Sequence, residues 1–338
     1  MGIIPPHMLK EIAKKGTTGQ KERALKSLLV SEKIRGRREA FGQFYVSAPT
    51  GAKCLRMYDS KNTQDLPGTP IPNPEKSKDP EVKEAYNGAS VTYDMYKSVF
   101  DRNSIDDKGM CIESSVHYEK NYDNAFWDGK QMVYGDGDGE LFNRFTISID
   151  VIGHELTHGV TEYEAGLDYN GQPGALNESI SDVFGTLVKQ KSKKQTVDKA
   201  DWLIGQGLLT KKVHGIALRS MKAPGTAYDD PTLGKDPQPA TMKDYVKTAD
   251  DNGGVHTNSG IPNHAFYLTA MEIGGYAWEK AGMIWYVALR DRMRPKTDFA
   301  HAASLMFAVA GDLYGKGSAE QLAVQKGWTG VGVKISKK

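Results

Sequence analysis

His154-Glu155-Leu156-Thr157-His158 sets two imidazoles four residues apart, with a carboxylate beside the first. On a helix, positions four apart share a face, so each histidine can point one nitrogen at a single ion. Glu155 stands on the rim of that face, close to the ion and not needed as a ligand. Two imidazoles on a metal, with a free carboxylate to take a proton from the metal's water, meet the needs of hydrolytic zinc chemistry. Alone, two helix histidines could also be plain surface residues. A third ligand decides, because a catalytic zinc takes three protein ligands and keeps one position open. Downstream, Glu178 and Asp182 are again four apart. Glu178 can be the third ligand. Asp182, one turn on, can accept the other ring N–H of a ligand histidine and fix its tautomer. The bland alternative is two acids on a solvated helix face.

The apolar spacing supplies the elements that must hold these groups. Ile149, Ile152, Leu156 and Val160 recur at three and four residues and make one buried stripe, with Ser148 as the N-cap. The helix over 148–163 should also bridge two lobes. Leu176, Ile180, Val183, Phe184, Leu187 and Val188 make a second helix, over 175–190. Further helices are expected at 260–273, 276–292, 298–314 and 318–327, and one over 80–103. Residues 48–147 otherwise read as β-rich, with Gly, Asn, Asp and Pro punctuation. Val116–Tyr118 and Met132–Tyr134 are expected strands flanking Asn124–Trp127. An edge strand at Asn124–Trp127 could hold an extended peptide by its backbone.

These motifs, in this order, resemble the thermolysin-like zinc endopeptidases. Asn124-Ala125-Phe126-Trp127, Tyr134-Gly135-Asp136-Gly137-Asp138-Gly139, the His-Glu-x-x-His, Asn177-Glu178-x-x-Ser181-Asp182, Leu218-Arg219-Ser220-Met221 and Asp251-Asn252-Gly253-Gly254-Val255-His256 carry the likeness, which spans roughly residues 50–338. The short N-terminal segment with Pro5-Pro6 is similar to the prosegment of the protealysin-like subgroup. The resemblance implies an α+β, two-lobe fold. It divides the chain into a propeptide at 1–47, a β-rich lobe at 48–161 ending in the zinc helix, and a helical lobe at 162–338. It implies one catalytic zinc on His154, His158 and Glu178, with Glu155 as the proton carrier. His256 and Tyr169 match positions that donate to the oxyanion, and Asp251 would orient His256. Asn124, Ala125 and Trp127 match the substrate strand. Arg219 matches an arginine that holds a substrate carbonyl; its plainer role is an ion pair with an acid. Phe142, Phe145, Val151, Ile204, Leu208 and Leu218 match the primed-side pocket, so cleavage is expected on the amino side of bulky hydrophobic residues. Core packing is the alternative for each of them.

One departure matters. Where the family has a cluster of acids for paired calcium, Asp150 and Asp201 remain, but Lys189, Leu203 and Gln206 replace other acids, and Ile216 replaces one at the next site. Calcium sites are therefore expected to be absent, with Lys189 neutralising the remaining acids.

Composition bounds the rest. The chain has 338 residues, 39 % hydrophobic, with a net charge of +2, so nothing draws it to nucleic acid or membrane. Residues 1–40 hold ten Lys/Arg and four acids, a basic front piece suited to docking on an acidic body. Within it, Ile3–Leu9 reads as extended around Pro5-Pro6. Amphipathic helices are expected at Leu9–Lys15 and at Lys21–Val30, the latter carrying Leu25, Leu28 and Leu29. By resemblance, Pro5-Pro6 and the hydrophobes beside them would block the active-site cleft. Processing would fall between about Ala40 and Thr50, near Phe41, Phe44, Tyr45 and Val46. Cys54 and Cys111 could pair or remain thiols. No Sec-type signal is recognisable, so export by a non-classical route is expected, with a cytoplasmic location as the alternative. A monomer acting on peptide and protein substrates is the leading reading. A zinc amidase acting on another amide, or a non-catalytic peptide binder, are the others.

Overall fold

The computed structural model describes residues 2–41 and 52–336, with side chains at 2–32 and 52–336. The stretch expected to be processed, with Phe44, Tyr45 and Val46, lies almost wholly outside the described residues, as does the expected boundary at 47/48. The chain forms two compact units. The first comprises Met1–Gly159, Gly205–Leu218 and Tyr228–Lys235. The second comprises Val160–Ile204, Arg219–Ala227 and Asp236–Lys338.

The first unit opens with α1 (Pro6–Lys15) and α2 (Thr18–Phe41). The extended reading of Ile3–Leu9 holds only as far as Pro5. Pro6 sits at the first helical position, where its missing N–H costs nothing and its fixed φ suits the helix. Met8, Leu9 and Ile12 are buried. The expected apolar face of α2 is corrected: Leu25 is 53 % and Leu29 72 % exposed, and α2 buries Ala24, Ser27 and Val30 instead.

The sheet follows, with strands β1 (Leu55–Asp59), β2 (Thr69–Pro70), β3 (Ile112–Val116), β4 (Ala125–Trp127) and β5 (Met132–Tyr134). Their order is β2-β1-β3-β5-β4, so β4 is an edge, antiparallel to β5 with Phe126 opposite Val133. The expected strand at Val116–Tyr118 ends at Val116, because His117 turns to a φ of 54°. Helix α3 (Pro80–Phe100) starts from Asp79, whose side chain accepts from the Glu81 and Val82 N–H groups. Cys54 and Cys111 form a disulfide between the approaches to β1 and β3.

Helix α4 (Ile149–Tyr163) carries the histidine motif, and the division between the units falls within it, after Gly159. It is packed tightly into the first unit. A Cβ on Gly88 of α3 would lie 2.2 Å from Ile152, and one on Gly159 would lie 2.6 Å from Ile105 and 3.1 Å from Trp127. Thr157 donates to the Gly153 carbonyl and meets the Tyr96 hydroxyl at 2.8 Å. Ser148 stands at the N-cap position as expected, its carbonyl accepting the Ile152 N–H at 3.3 Å, while its hydroxyl donates to Asp150 at 2.6 Å.

The second unit is helical: α5 (Gly171–Ser192), α6 (Asp251–Asn258), α7 (Gly260–Ile273), α8 (Ala281–Val287), α9 (Phe299–Tyr314) and α10 (Ala319–Gly330). Helix α5 is buried from Gly174 to Gln190, as a central core helix must be. Trp285 stacks on Trp328 and meets Phe266 edge-on. The expected helix at 276–292 starts later, at Ala281, and its last five residues widen into a π-helix.

Candidate active site

Each unit contributes its own group of functional side chains. In the first, one turn of α4 brings His154 Nε2 and His158 Nε2 to 3.1 Å from each other. Their rings stand edge-on and both are buried. Two imidazole nitrogens facing one another in the interior form a pair of ligand atoms suited to a shared divalent ion. Glu155 is fully buried beside them, and its Oε2 accepts the Trp127 backbone N–H at 3.0 Å. The edge strand and the helix carboxylate are therefore tied together.

The N-terminus of the chain runs along that strand. The Ile3 N–H donates to the Ala125 carbonyl at 3.0 Å, and the Ile4 N–H donates to Asn124 Oδ1 at 3.0 Å. Gly2 bridges to Phe126 in the antiparallel sense. A Cβ on Gly2 would lie 2.4 Å from the Asn124 side chain, so a larger residue there would displace Asn124. The pairing segment is thus Gly2–Ile4, with Ile3 and Ile4 buried, and Pro5 caps α1. His7 Nε2 lies 3.0 Å from the Tyr228 hydroxyl. Among the pocket candidates, Phe142, Phe145, Val151, Leu208 and Leu218 are all buried in the first unit; Ile204 is buried in the second.

In the second unit, α5 presents Glu178 and Asp182. The Tyr169 hydroxyl donates to Glu178 Oε1. His256 Nε2 lies 3.3 Å from that hydroxyl and 3.5 Å from Glu178 Oε1. Asp251 grips His256 twice: Oδ1 meets Nδ1 at 2.8 Å and Oδ2 accepts its backbone N–H at 2.9 Å. This grip requires a tight reversal of the chain, which Asn252, Gly253 and Gly254 make with successive positive φ values. Burial alone would lower the affinity of His256 for a proton, but the Asp251 and Glu178 carboxylates outweigh it and raise the pKa.

Asp182 is fully buried and accepts from cationic and amide donors. Arg219 gives Nε and Nη2, each at 2.8 Å, and Asn263 gives Nδ2 at 2.8 Å. The ion-pair role of Arg219 is therefore present. Asn263 was not anticipated, and no spacing in the sequence links it to Asp182. At the C-terminal end of α5, Lys189 Nζ donates to Asp201 Oδ1 at 2.7 Å and to the Leu203 carbonyl at 2.5 Å. In the first unit, Asp150 Oδ1 accepts from Ser148 Oγ and from the Gly205 N–H.

Comparison with known proteins adds a family. Residues 26–162 match the thermolysin metallopeptidase catalytic domain, and residues 165–333 match the thermolysin metallopeptidase alpha-helical domain. The chain is 47 % identical over 336 residues to an extracellular metalloprotease of Pectobacterium carotovorum subsp. carotovorum, covering 98 % of this chain and 96 % of that one. It is 46 % identical over 347 residues to the protease PrtS of a Photorhabdus strain, covering 99 % and 93 %. Its fold superposes on the precursor of protealysin, a metalloproteinase from Serratia proteamaculans, with a TM-score of 0.90 at 53 % identity, covering 99 % of this chain and all of that one.

Proposed function

The chain belongs to the thermolysin-like metallopeptidases and is a zinc-dependent neutral endopeptidase; on that premise, we propose which of its own residues carry each part of the reaction. His154, His158 and Glu178 hold the zinc, and the chemistry of two neutral imidazoles and one carboxylate suits that ion. When bound, zinc supplies Lewis acidity toward water and the scissile carbonyl. Glu155 takes the attacking water's proton and passes it to the departing nitrogen. The reading rests above all on one observation: this buried carboxylate is fixed by the Trp127 N–H of the edge strand, beside the facing imidazoles. His256 and Tyr169 donate to the developing oxyanion; the Asp251 carboxylate on Nδ1 of His256 favours the imidazolium, whose Nε2–H is the donor.

Substrate lies extended along Asn124, Ala125 and Trp127. Support comes from the chain's own Gly2–Ile4, which adds to this strand through backbone hydrogen bonds, as an extended peptide would. Residues 1–47 thus act as a propeptide that occupies the substrate strand and keeps the precursor quiet. The catalytic lobes follow at 48–161 and 162–338. Arg219, braced by Asp182, holds a substrate carbonyl, while Asp182 also orients a ligand histidine. Phe142, Val151 and Leu218, with their apolar neighbours, favour cleavage on the amino side of bulky hydrophobic residues.

Lys189 takes the place of calcium. Its ammonium on Asp201 supplies the positive charge that the family's acid cluster otherwise needs from an ion. The enzyme acts as a monomer outside the cell, in keeping with its relative named as extracellular and with the Cys54–Cys111 disulfide.

The test is casein hydrolysis, with cleavage mapping on peptides, by the wild type and by Glu155→Ala. Loss of a general base costs roughly 10²–10⁴-fold. A variant as active as the wild type would remove Glu155 from the chemistry. Cuts with no apolar residue on the primed side would remove the pocket assignment.

A further inference from the structure

The prosegment is held at a second place, beside the Gly2–Ile4 pairing. Arg23 of α2 reaches the first unit's acidic turn and gives Nη2 to both Asp138 Oδ2 and Glu140 Oε2, each at 2.9 Å. Its Nε lies 3.9 Å from Asp123 Oδ2. Asp138 and Asp123 are almost fully buried, whereas Glu140 is half-exposed. The turn is built to present these oxygens. Asp138 Oδ1 accepts three consecutive backbone N–H groups, those of Glu140, Leu141 and Phe142, which leaves Oδ2 for the guanidinium. Asp123 Oδ1 is buried with no hydrogen-bond partner. Burial, then the neighbouring Asp138, push the Asp123 carboxyl up to about 8. Around the seat, Gln20 donates to Glu140 at 3.1 Å and Lys26 pairs with Glu119. Val30, from the same helix, enters the aromatic cluster of Tyr118, Tyr122 and Phe126. The next residue after Asp123 is Asn124, which accepts the Ile4 N–H, so the seat adjoins the substrate strand.

We propose that Asp138 and Glu140, with Asp123 behind them, form an arginine-binding site beside the substrate strand, and that its partner is an arginine-bearing helical polypeptide arm: in the precursor, the chain's own α2. The site explains why α2 turns its small residues inward and leaves Leu25 and Leu29 in solvent. The orientation that lets Arg23 and Lys26 reach acids is not the one that buries those leucines. Arginine is the residue such a site selects. A planar guanidinium can share one nitrogen between two carboxylates and still face a third with its Nε, whereas an ammonium is a point charge. The inference rests on residues 1–47 being an inhibitory propeptide, and it adds that their hold is set largely outside the cleft.

The experiment is hydrogen exchange on the full-length chain carrying Glu155→Ala, so that the prosegment stays attached. Arg23→Ala should raise exchange of the α2 amides, and of the Ile3 and Ile4 amides on the strand, by about tenfold or more, the weight of lost charge-assisted bonds. Arg23→Lys should fall between. Glu140→Gln, at a half-exposed position, should weaken protection in the same segments, and adding it to Arg23→Ala should cost little more, because both remove one interaction. Unchanged exchange in α7 reports that the fold is intact; if Arg23→Ala perturbs α7, Glu140→Gln alone decides. Protection of α2 and of Ile3–Ile4 that survives both substitutions would overturn the proposal. A wild-type chain that never loses its prosegment on zinc addition would instead count against the self-processing peptidase, and the exchange result would stand apart from it.

Discussion

Replacing Lys189 by methionine tests the proposal that its charge stands in for calcium. The lysine side chain is 4 % exposed and that of Asp201 24 %. Its ammonium makes two short bonds, to the Asp201 carboxylate and to the Leu203 carbonyl. Methionine keeps most of the apolar stem, so little cavity opens. What is lost is a charge-assisted bond of roughly 1.5–3 kcal/mol, plus the cost of leaving a buried carbonyl with one acceptor site unmet. We expect Lys189→Met to lose about 2–4 kcal/mol in urea unfolding, in calcium-free buffer with zinc held saturating. Calcium should leave the wild type unmoved. Lys189→Glu restores an acid at this position and should make stability depend on calcium. At a free concentration one hundred times the dissociation constant, binding adds about 2.7 kcal/mol. The reasoning is refuted if millimolar calcium stabilises the wild type as much as it does Lys189→Glu, or if Lys189→Met unfolds at the same urea concentration as the wild type.

Asp182→Asn should cost about 3–5 kcal/mol in urea unfolding, because the Arg219 guanidinium stays buried without its counter-charge; the paired replacement Asp182→Leu with Arg219→Met should cost less than the two single changes added. His117 gives a pH dependence. The hydrogen bond to Asp136 is the largest influence, and with Asp79 it lifts the imidazole pKa from 6.5 to about 9. A raised histidine pKa means the folded chain holds a proton that the unfolded chain releases above 6.5. The stabilisation is therefore complete below pH 6.5 and is lost as pH rises through 9. After allowance for solvent screening, His117→Gln should cost about 1–2 kcal/mol at pH 6 and little at pH 10, read by urea midpoints at each pH; equal losses at both would contradict the charge.

Helices α4, α5 and α7 are legible because each is long and its apolar spacing unbroken. Helix α7 spans the expected 260–273, and α4 and α5 lie where Ile149–Val160 and Leu176–Val188 put them. Other features depend on partners distant in sequence. Nothing local in residues 205–218 or 228–235 says that they fold with the first unit. Leucine spacing does not reveal the buried face of α2, because the reach of Arg23 and Lys26 to acids more than ninety residues away sets it. His117 ends a strand early through a left-handed φ that joins it to Asp79 and Asp136, a pairing set by tertiary geometry. The start of α1 at Pro6 was readable in principle, since proline is well suited to the first helical position. The disulfide was open in the sequence and is formed in the fold.

Zinc content under competition with a chelator, compared between the wild type and Glu178→Gln, tests the central claim most directly. The account predicts one zinc per wild-type chain, and loss of that zinc from Glu178→Gln at a chelator concentration at least one hundredfold lower, with the helical circular dichroism of both intact. A wild-type chain that binds no zinc, or a Glu178→Gln chain that keeps it as firmly, would contradict the account.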